Sequence, residues 1–595
     1  MHRRHAMPFG AEPIADGVKF RLWAPDADDV ALELEGGPVL PMRRGRGGWA
    51  EVMVPGAAPG AAYRFRAGGL SVPDPGSRFQ PDDVHGPSRV VDPGTWEWRD
   101  GDWRGRPWHE AVIYELHVGT FTPEGTFRAA IDKLDYLVGL GVTAIELMPV
   151  AEFPGARGWG YDGVLPYAPE ASYGSPDDFK ALVEAAHRKG LMVFLDVVYN
   201  HFGPDVNYLH VYARRFFTRR HHTPWGQAIN YDGRGAKAVR EFVIHNALYW
   251  IEEFHLDGLR LDAVHAIVDD TKPHLLEELA RRVRAAVTDR PVHLVLENDD
   301  NTASLLEPGL FDAQWNDDLH HVLHVLLTGE VGGYYRDYAD DPAAHLARCL
   351  SEGFAYQGEP SSHRKGGARG QPSAHLRPTA FVGFLQNHDQ IGNRALGERI
   401  DRLAPAPAVD AALALLLLLP QPPLLFMGEE WGASTPFLFF CDFRPDLARS
   451  VREGRKREFE NFPQFKGPNA ARIPDPNDPA TFAASKLDWS EPDRDPHAGR
   501  LDRVRRLLAI RQRQLAPRLA GIAAGAVVEV VGSRAVTCRW RLGDGSLLTL
   551  RANLSDQAVE AAVSAPGRLL YSTGGEGGAL PPWRVDWHLD EGRTA

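Results

Sequence analysis

The sequence predicts an α/β protein, a closed (β/α)8 TIM barrel flanked by an N-terminal β-sandwich and a small C-terminal β-domain. Three observations carry that reading. From about residue 108, apolar strand-like segments alternate with helical ones, the rhythm of a parallel sheet. Eight such segments occur, the number that closes a barrel. On either side, the pattern reverts to short alternating strands punctuated by Gly, Pro and Asp. At 595 residues the chain is also too long for one hydrophobic core. The expected division is residues 1–95 for the sandwich, 96–520 for the barrel with its long loops, and 521–595 for the last domain.

In the first part, residues 18–23, 31–34 and 62–66 alternate apolar and polar side chains, as half-buried strands do. Residues 71–78 hold two prolines and read as an exit segment packed on the next domain. Barrel strands are predicted at 112–116, 143–147, 192–196, 259–262, 292–297, 311–315, 381–385 and 423–427, with helices such as 179–189 and 274–287 between them. A doubly wound sheet is the alternative. Its Gly-rich phosphate turn is missing after the first strand, where Glu115-Leu116-His117-Val118-Gly119-Thr120 stands instead. Two connections are long. Residues 200–240 carry Phe216, Phe217, His221, His222 and Trp225, and residues 351–378 are rich in Gly, Ser and Arg. Segments of this length in a compact domain tend to be functional or disordered. The first is expected to form part of the site, the second a lid that moves. A helix at about 497–517 closes the barrel, and short strands at 527–531 and 547–550 follow.

Composition is that of an ordinary globular protein, 44% apolar and 24% charged. The net charge of -13 argues against nucleic acid or an anionic membrane as partner and suits a neutral substrate. The 15 Trp and 16 Tyr supply flat rings that stack on sugars as readily as they fill cores. Cys349, Cys441 and Cys538 lie far apart, which gives no disulfide framework and points to a reducing cytoplasm. The basic start, Met1-His2-Arg3-Arg4-His5, precedes no apolar run and does not read as a secretory signal. The longest apolar run, 411–419, falls short of the roughly 20 residues that span a bilayer. It reads as a buried helix leading into a buried strand.

Barrels of this kind carry their chemistry at the C-terminal ends of the strands. Strand three ends in Asp196-Val197-Val198-Tyr199-Asn200-His201, strand four in Arg260-Leu261-Asp262, strand five in Glu297, and strand seven in Gln386-Asn387-His388-Asp389. Arg260 and Asp262 are two apart, so they share one face of their strand. A guanidinium there holds the carboxylate ionised and fixes its direction. Alone, the pair reads as a structural ion pair, and a single acid after a strand reads as a helix cap. Three acids around one rim, with His201 and His388 beside them, point to chemistry. Metal-assisted hydrolysis in such barrels wants His-x-His after strand one, where His117 stands alone. Glycoside hydrolysis wants one carboxylate nucleophile and one carboxylic acid. Asp262 suits the first role. Glu297, behind the apolar Val295 and Leu296, suits the second, because burial raises a carboxyl pKa. No dense Asp/Asn loop suggests calcium, and neither metal nor cofactor is expected.

The runs 196–201, 258–265 and 384–389, together with Glu297, resemble the four signature regions of the α-amylase superfamily of glycoside hydrolases. The resemblance implies Asp262 as nucleophile, Glu297 as acid/base and Asp389 as transition-state stabiliser. It implies Tyr161 as the ring beneath the sugar being cleaved, with Arg260, His201 and His388 completing that subsite. Retention of configuration through a glycosyl-Asp262 intermediate follows. The stretches 146–155, 314–321, 386–399 and 427–431 resemble the trehalose-releasing branch of that superfamily. Those enzymes cleave the α-1,4 bond beside the terminal trehalose of maltooligosyltrehalose. The resemblance further implies a carbohydrate-binding-like N-terminal module, a monomer, and work alongside an enzyme that makes maltooligosyltrehalose. Branching and debranching enzymes, which share the N-terminal module, are the alternative. Many amylases carry a Lys-His pair shortly after the nucleophile, whereas this chain has Ala263-Val264-His265-Ala266. The departure suits an acceptor pocket shaped for bent, non-reducing trehalose. Trp225, His265, Asn316, Asp317, Asp318 and His320 are its candidates, with Gln390 and Asn393 as further substrate contacts. Trp225 reads equally as a loop anchor, and Asn316 and Asp317 as helix caps. A non-catalytic glucan-binding protein is the other class of function, and the presence of both Asp262 and Glu297 speaks against it.

Overall fold

The computed structural model describes residues 5–205, 207–223, 226–459, 472–560, 565–574 and 579–592. Eight parallel strands close into a barrel: β1 (Ile113–Leu116), β2 (Ala144–Leu147), β3 (Met192–Val197), β4 (Gly258–Leu261), β5 (His293–Leu296), β6 (Ala313–Trp315), β7 (Phe381–Phe384) and β8 (Pro423–Phe426). Each coincides with a predicted strand to within about two residues at either end. All are buried on both faces, which is why they read as continuous apolar runs. Helix Pro176–Arg188 shows how the crossovers start. Ser175 and Asp178 form a reciprocal capping box, and Pro176 occupies the first turn where its missing N–H costs nothing. Helix Ala406–Leu418 is buried on nearly every side, so the apolar run that precedes β8 packs inside the molecule.

Period-two alternation then sets the site. The barrel interior is filled by Ile113, Ala144, Met192, Phe194, Val295, Ala313, Trp315 and Phe384. Stepping two residues toward the C-terminal ends from Ile113, Ala144, Phe194 and Val295 reaches Glu115, Glu146, Asp196 and Glu297. Arg260 and Asp262 share that inner face on β4 and just beyond it. A polar layer therefore caps the apolar filling.

The N-terminal part is two antiparallel sheets, as a sandwich requires. Its Phe9 ring meets Phe242 edge-on at 5.1 Å, and Arg78, in the predicted exit segment, bonds Glu253 on the barrel helix Ala236–Glu253. The C-terminal part is one five-stranded antiparallel sheet. Trp540 and Trp587 stack there and donate their indole N–H groups to Leu350 and Ala414 of the barrel. The closing helix, expected at about 497–517, is interrupted by a π-turn. It runs His497–Ile510, widens into a π-turn over Arg511–Leu515, and ends at Leu519. Arg511 explains the widening, since its buried guanidinium bonds the carbonyls of Leu417, Leu419 and Gln421.

Residues 351–378, read from the sequence as a moving lid, make ion pairs with the barrel in this structure. Arg369 is buried and pairs with Asp318 at 2.8 Å, and Arg364 bonds Asp300 at 2.6 Å. Among the described residues no helix is long and apolar enough to cross a membrane.

Candidate active site

The strand ends open into a cleft of about 530 Å³. Its lining includes Tyr161, His201, Asp262, His265, Glu297, His388, Asp389 and Asn393, all predicted from the sequence. At its floor lies Arg260, with no exposure to solvent. Nη1 reaches Asp196 at 2.6 Å and Asp262 Oδ1 at 2.8 Å, while Nη2 reaches Glu297 Oε2 at 2.9 Å. The guanidinium also sits over the Trp315 ring, 4.1 Å from its centroid. Arg260 was expected to bind substrate. It was also expected to clamp Asp262, and its full burial and three carboxylate partners match that second expectation.

Asp262 and Glu297 share that arginine yet differ electrostatically. Burial pushes Asp262 up, but the charge of Arg260 and the Asn200 amide, which donates to Oδ2 at 2.9 Å, outweigh it and hold Asp262 below the ordinary carboxylate range. For Glu297 the balance tips the other way. Burial, joined by the negative charges of Asp262 and Asp389, pushes it well above the ordinary value despite the opposing pull of Arg260. The two carboxyls are thus pushed apart, one toward the ionised and the other toward the protonated form, the separation that acid–base chemistry calls for.

One side of the cleft is built from rings. Gly160 has φ +100°, and a Cβ there would come within 2.0 Å of the Pro149 carbonyl, so only glycine lets the chain turn to present Tyr161. Tyr161 stacks on His388 with centroids 5.1 Å apart. Its hydroxyl donates to Asp196 at 2.7 Å and lies 2.8 Å from His388 Nε2. His201 Nε2 bonds the Tyr161 carbonyl at 3.0 Å, and burial lowers its pKa. Asn393 donates to Asp389 at 3.2 Å. His265 is exposed in the cleft, and its Nδ1 accepts the N–H of Asp299 at 3.3 Å.

Four predicted contacts do not reach the cleft. Asn316 is fully buried, caps helix Asp317–Thr328 and donates to the Gly353 carbonyl at 2.9 Å. Asp318 is fully buried between Arg369, Tyr338 and the N–H groups of Ala355 and Tyr356. His320 is buried and bonds the Leu385 carbonyl at 2.7 Å. Gln390 caps its own helix by accepting the Asn387 N–H at 3.0 Å. Asp317 stands between the two groups. It is half-buried and absent from the lining, yet near enough that its charge acts on Glu297, and burial, with Asp299 adding, pushes it up to about 7. Trp225 lies outside the described residues. Among the described residues of the 200–240 segment, His201, Phe202 and Pro204 line the cleft.

Sequence reading missed Trp159, Asp162 and Phe439 in the lining, and Glu115 behind His388. Glu115 carried a signal, an acid inside an apolar strand. Phe439, from the segment after β8, carried none. Among the described residues one group of metal-ligand types, His221, Asp232 and Asp270, has ligating atoms within 4.8 Å of one another but does not line this cleft. Arg220 pairs with both of its carboxylates at 3.3 Å.

A closed barrel with an ionised and a protonated acid gripped by one arginine at its strand ends is the architecture of an α-amylase-type glycoside hydrolase. Residues 89–226 match the α-amylase catalytic domain, residues 8–83 match carbohydrate-binding module 48, the isoamylase N-terminal domain, and residues 523–593 match a domain of unknown function. A malto-oligosyltrehalose trehalohydrolase of Deinococcus radiodurans is 46% identical over 511 residues, 84% of this chain and 82% of its own. A solved α-amylase-type protein of Salmonella typhimurium superposes with a TM-score of 0.94 at 48% identity, covering 98% and 99% of the two chains. A glucan branching enzyme of Rubrobacter xylanophilus matches over only 42% of this chain and 38% of its own, at 38% identity. The chain belongs to the malto-oligosyltrehalose trehalohydrolase family.

Proposed function

We propose that this enzyme hydrolyses the α-1,4-glucosidic bond next to the terminal trehalose of maltooligosyltrehalose, releasing trehalose and a maltooligosaccharide with retention of configuration. The observation that carries the chemistry is the shared arginine with its two unlike acids. Asp262, held ionised, attacks the anomeric carbon. Glu297, held protonated, gives its proton to the departing glucosidic oxygen. Asp389 faces the positive charge that develops on the ring, and His201, His388 and Tyr161 hold its hydroxyls and underside.

The electrostatics also supply the second half of the reaction. While Asp262 is ionised, its charge helps keep Glu297 protonated. Having given its proton to the leaving oxygen, Glu297 is left as a carboxylate, and once Asp262 is esterified the loss of that negative charge leaves the pull of Arg260 less opposed, so the carboxylate is easier to keep. It is then a base, able to take a proton from the water that cleaves the ester.

Sequence identity to trehalohydrolases across most of both chains supports trehalose as the released sugar, and His265 and Asn393 are the acceptor-side contacts that the cleft offers. The partial match to a branching enzyme leaves that alternative with less support. We further propose a monomer in the cytoplasm, where the three buried free thiols stay reduced, supplied by an enzyme that makes trehalose-ended glucans. Incubation with maltooligosyltrehalose and assay of free trehalose tests the reading. Trehalose appears if it is right, and new α-1,6 branches on amylose without trehalose would replace it with the branching reaction.

A further inference from the structure

Two glutamates stand side by side in register beneath the cleft, Glu115 on β1 and Glu146 on β2. Both are 1% exposed, and sequence position alone does not separate them. Their surroundings do. Glu115 accepts the backbone N–H of His388 at 3.3 Å with one oxygen and the ring Nδ1–H with the other. Glu146 has no hydrogen-bond partner on either oxygen.

The contacts of His388 form one directed chain. Its Nδ1 faces Glu115, and its Nε2 faces the Tyr161 hydroxyl. Tyr161 donates to Asp196, which also accepts from Arg260. With its single proton committed to Asp196, Tyr161 offers only a lone pair to Nε2, so that nitrogen must donate too. A ring that donates from both nitrogens is charged. We propose that Glu115 is a positioning residue of this site, holding His388 as an imidazolium against the bound sugar, and that Glu146 is a spectator kept as a neutral acid. The proposal rests on the reading of His388 as a sugar-binding side chain.

The groups facing His388 agree. Burial disfavours the charged ring, but Glu115 on β1 and Asp389 beside it outweigh burial and the opposing charge of Arg260, lifting His388 to about 9. Burial, with Glu115 and Asp196 adding, pushes Glu146 well above the carboxyl range. His117 beyond β1 is lowered by burial to about 4 and stays neutral. With both ring N–H groups committed, what His388 offers the cleft it lines is a fixed positive charge, 3.5 Å from Asp389 and held in direction from behind.

The test begins with the ring itself. Histidine-selective NMR titration of the enzyme, assigned with His388→Gln, is expected to show His388 protonated at pH 7. Glu115→Gln should lower its midpoint by about one pH unit or more. Glu146→Gln should not move it, because a neutral amide replaces a neutral acid. On maltooligosyltrehalose, Glu115→Gln should lose roughly ten- to a hundredfold in kcat/KM at pH 7, with alkaline loss starting at lower pH than in the wild type. Glu115→Asp should recover part of both. In a His388→Gln background, Glu115→Gln should add nothing. A wild-type His388 that titrates near the ordinary imidazole value overturns the proposal, even if the amide variant fails to fold. So does an equal cost of Glu115→Gln in the His388→Gln background. Because the titration is read without substrate, a wild type that releases no trehalose sinks the functional reading and leaves the ring assignment standing.

Discussion

The backbone N–H of Ala263 donates to Oε2 of Glu297 at 2.7 Å, and Ala263 reaches that position only by adopting a left-handed backbone, φ 39° and ψ 50°. An L-residue with a Cβ is strained there. The strain is spent next to Asp262, where it aims a fixed donor at the second acid. Ala263→Val adds a branched Cβ to this conformation. It should destabilise the protein by about 1–3 kcal/mol and lower kcat with little change in KM, read by thermal unfolding and steady-state kinetics. Ala263→Gly, free of the strain, should keep wild-type activity.

Arg260 touches Asp196, Asp262 and Glu297 at once, so no shorter or singly pointed cation replaces it. Arg260→Lys should cut kcat by roughly a hundredfold or more while the protein stays folded. Arg260→Ala leaves buried carboxylates unpaired and should cost about 3–5 kcal/mol of stability, measurable by denaturant unfolding. An active Arg260→Lys enzyme would show that the fork geometry is not needed.

The two acids predict a bell-shaped pH profile. Activity should fall on the acid side as Asp262, whose pKa is lowered, takes up a proton. It should fall on the alkaline side as Glu297, whose pKa is raised, loses one. Stability follows from the same shifts. Asp262 binds its proton less tightly folded than unfolded, so its contribution is present above the unfolded carboxyl value and is lost as pH falls through the folded one. Glu297 binds its proton more tightly folded, so its contribution is full below the unfolded value and is lost as pH rises through the folded one. Glu297→Gln should therefore be inactive, yet more stable than the wild type on the alkaline side, in thermal scans across pH.

His265 and Asn316 were read alike from the sequence, and the structure separates them. His265 is exposed in the cleft, whereas Asn316 caps a helix out of reach. His265→Ala should reduce the ratio of kcat/KM for maltooligosyltrehalose over a linear maltooligosaccharide of equal length. Asn316→Ala should leave that ratio alone and lower stability by about 1 kcal/mol or more, the usual cost of a lost cap.

Much of this was legible because a barrel strand is short, apolar and ends in the site. Asp262, Glu297 and Asp389 stand out as charges where such a strand ends. Asn316, Asp318 and His320 also follow a strand, so they carried the same mark. What removes them from the site is Arg369, Gly353 and Leu385, distant in sequence, which bury and satisfy them. Tertiary partners of that kind leave no local trace. The same holds for Phe439, brought to the cleft from beyond β8, and for Glu115 and Glu146, alike in sequence and parted only by what each faces.

The central claim is that Asp262 forms the bond to sugar while Glu297 handles the proton. An α-maltosyl fluoride carries its own leaving group and needs no acid, so Glu297→Gln should react with it once and stall. Mass spectrometry of the digested variant is the direct measurement. A maltosyl ester on the peptide at Asp262 is the expected result, absent in Asp262→Asn. An ester on another residue, or turnover with inversion and no adduct, would contradict it.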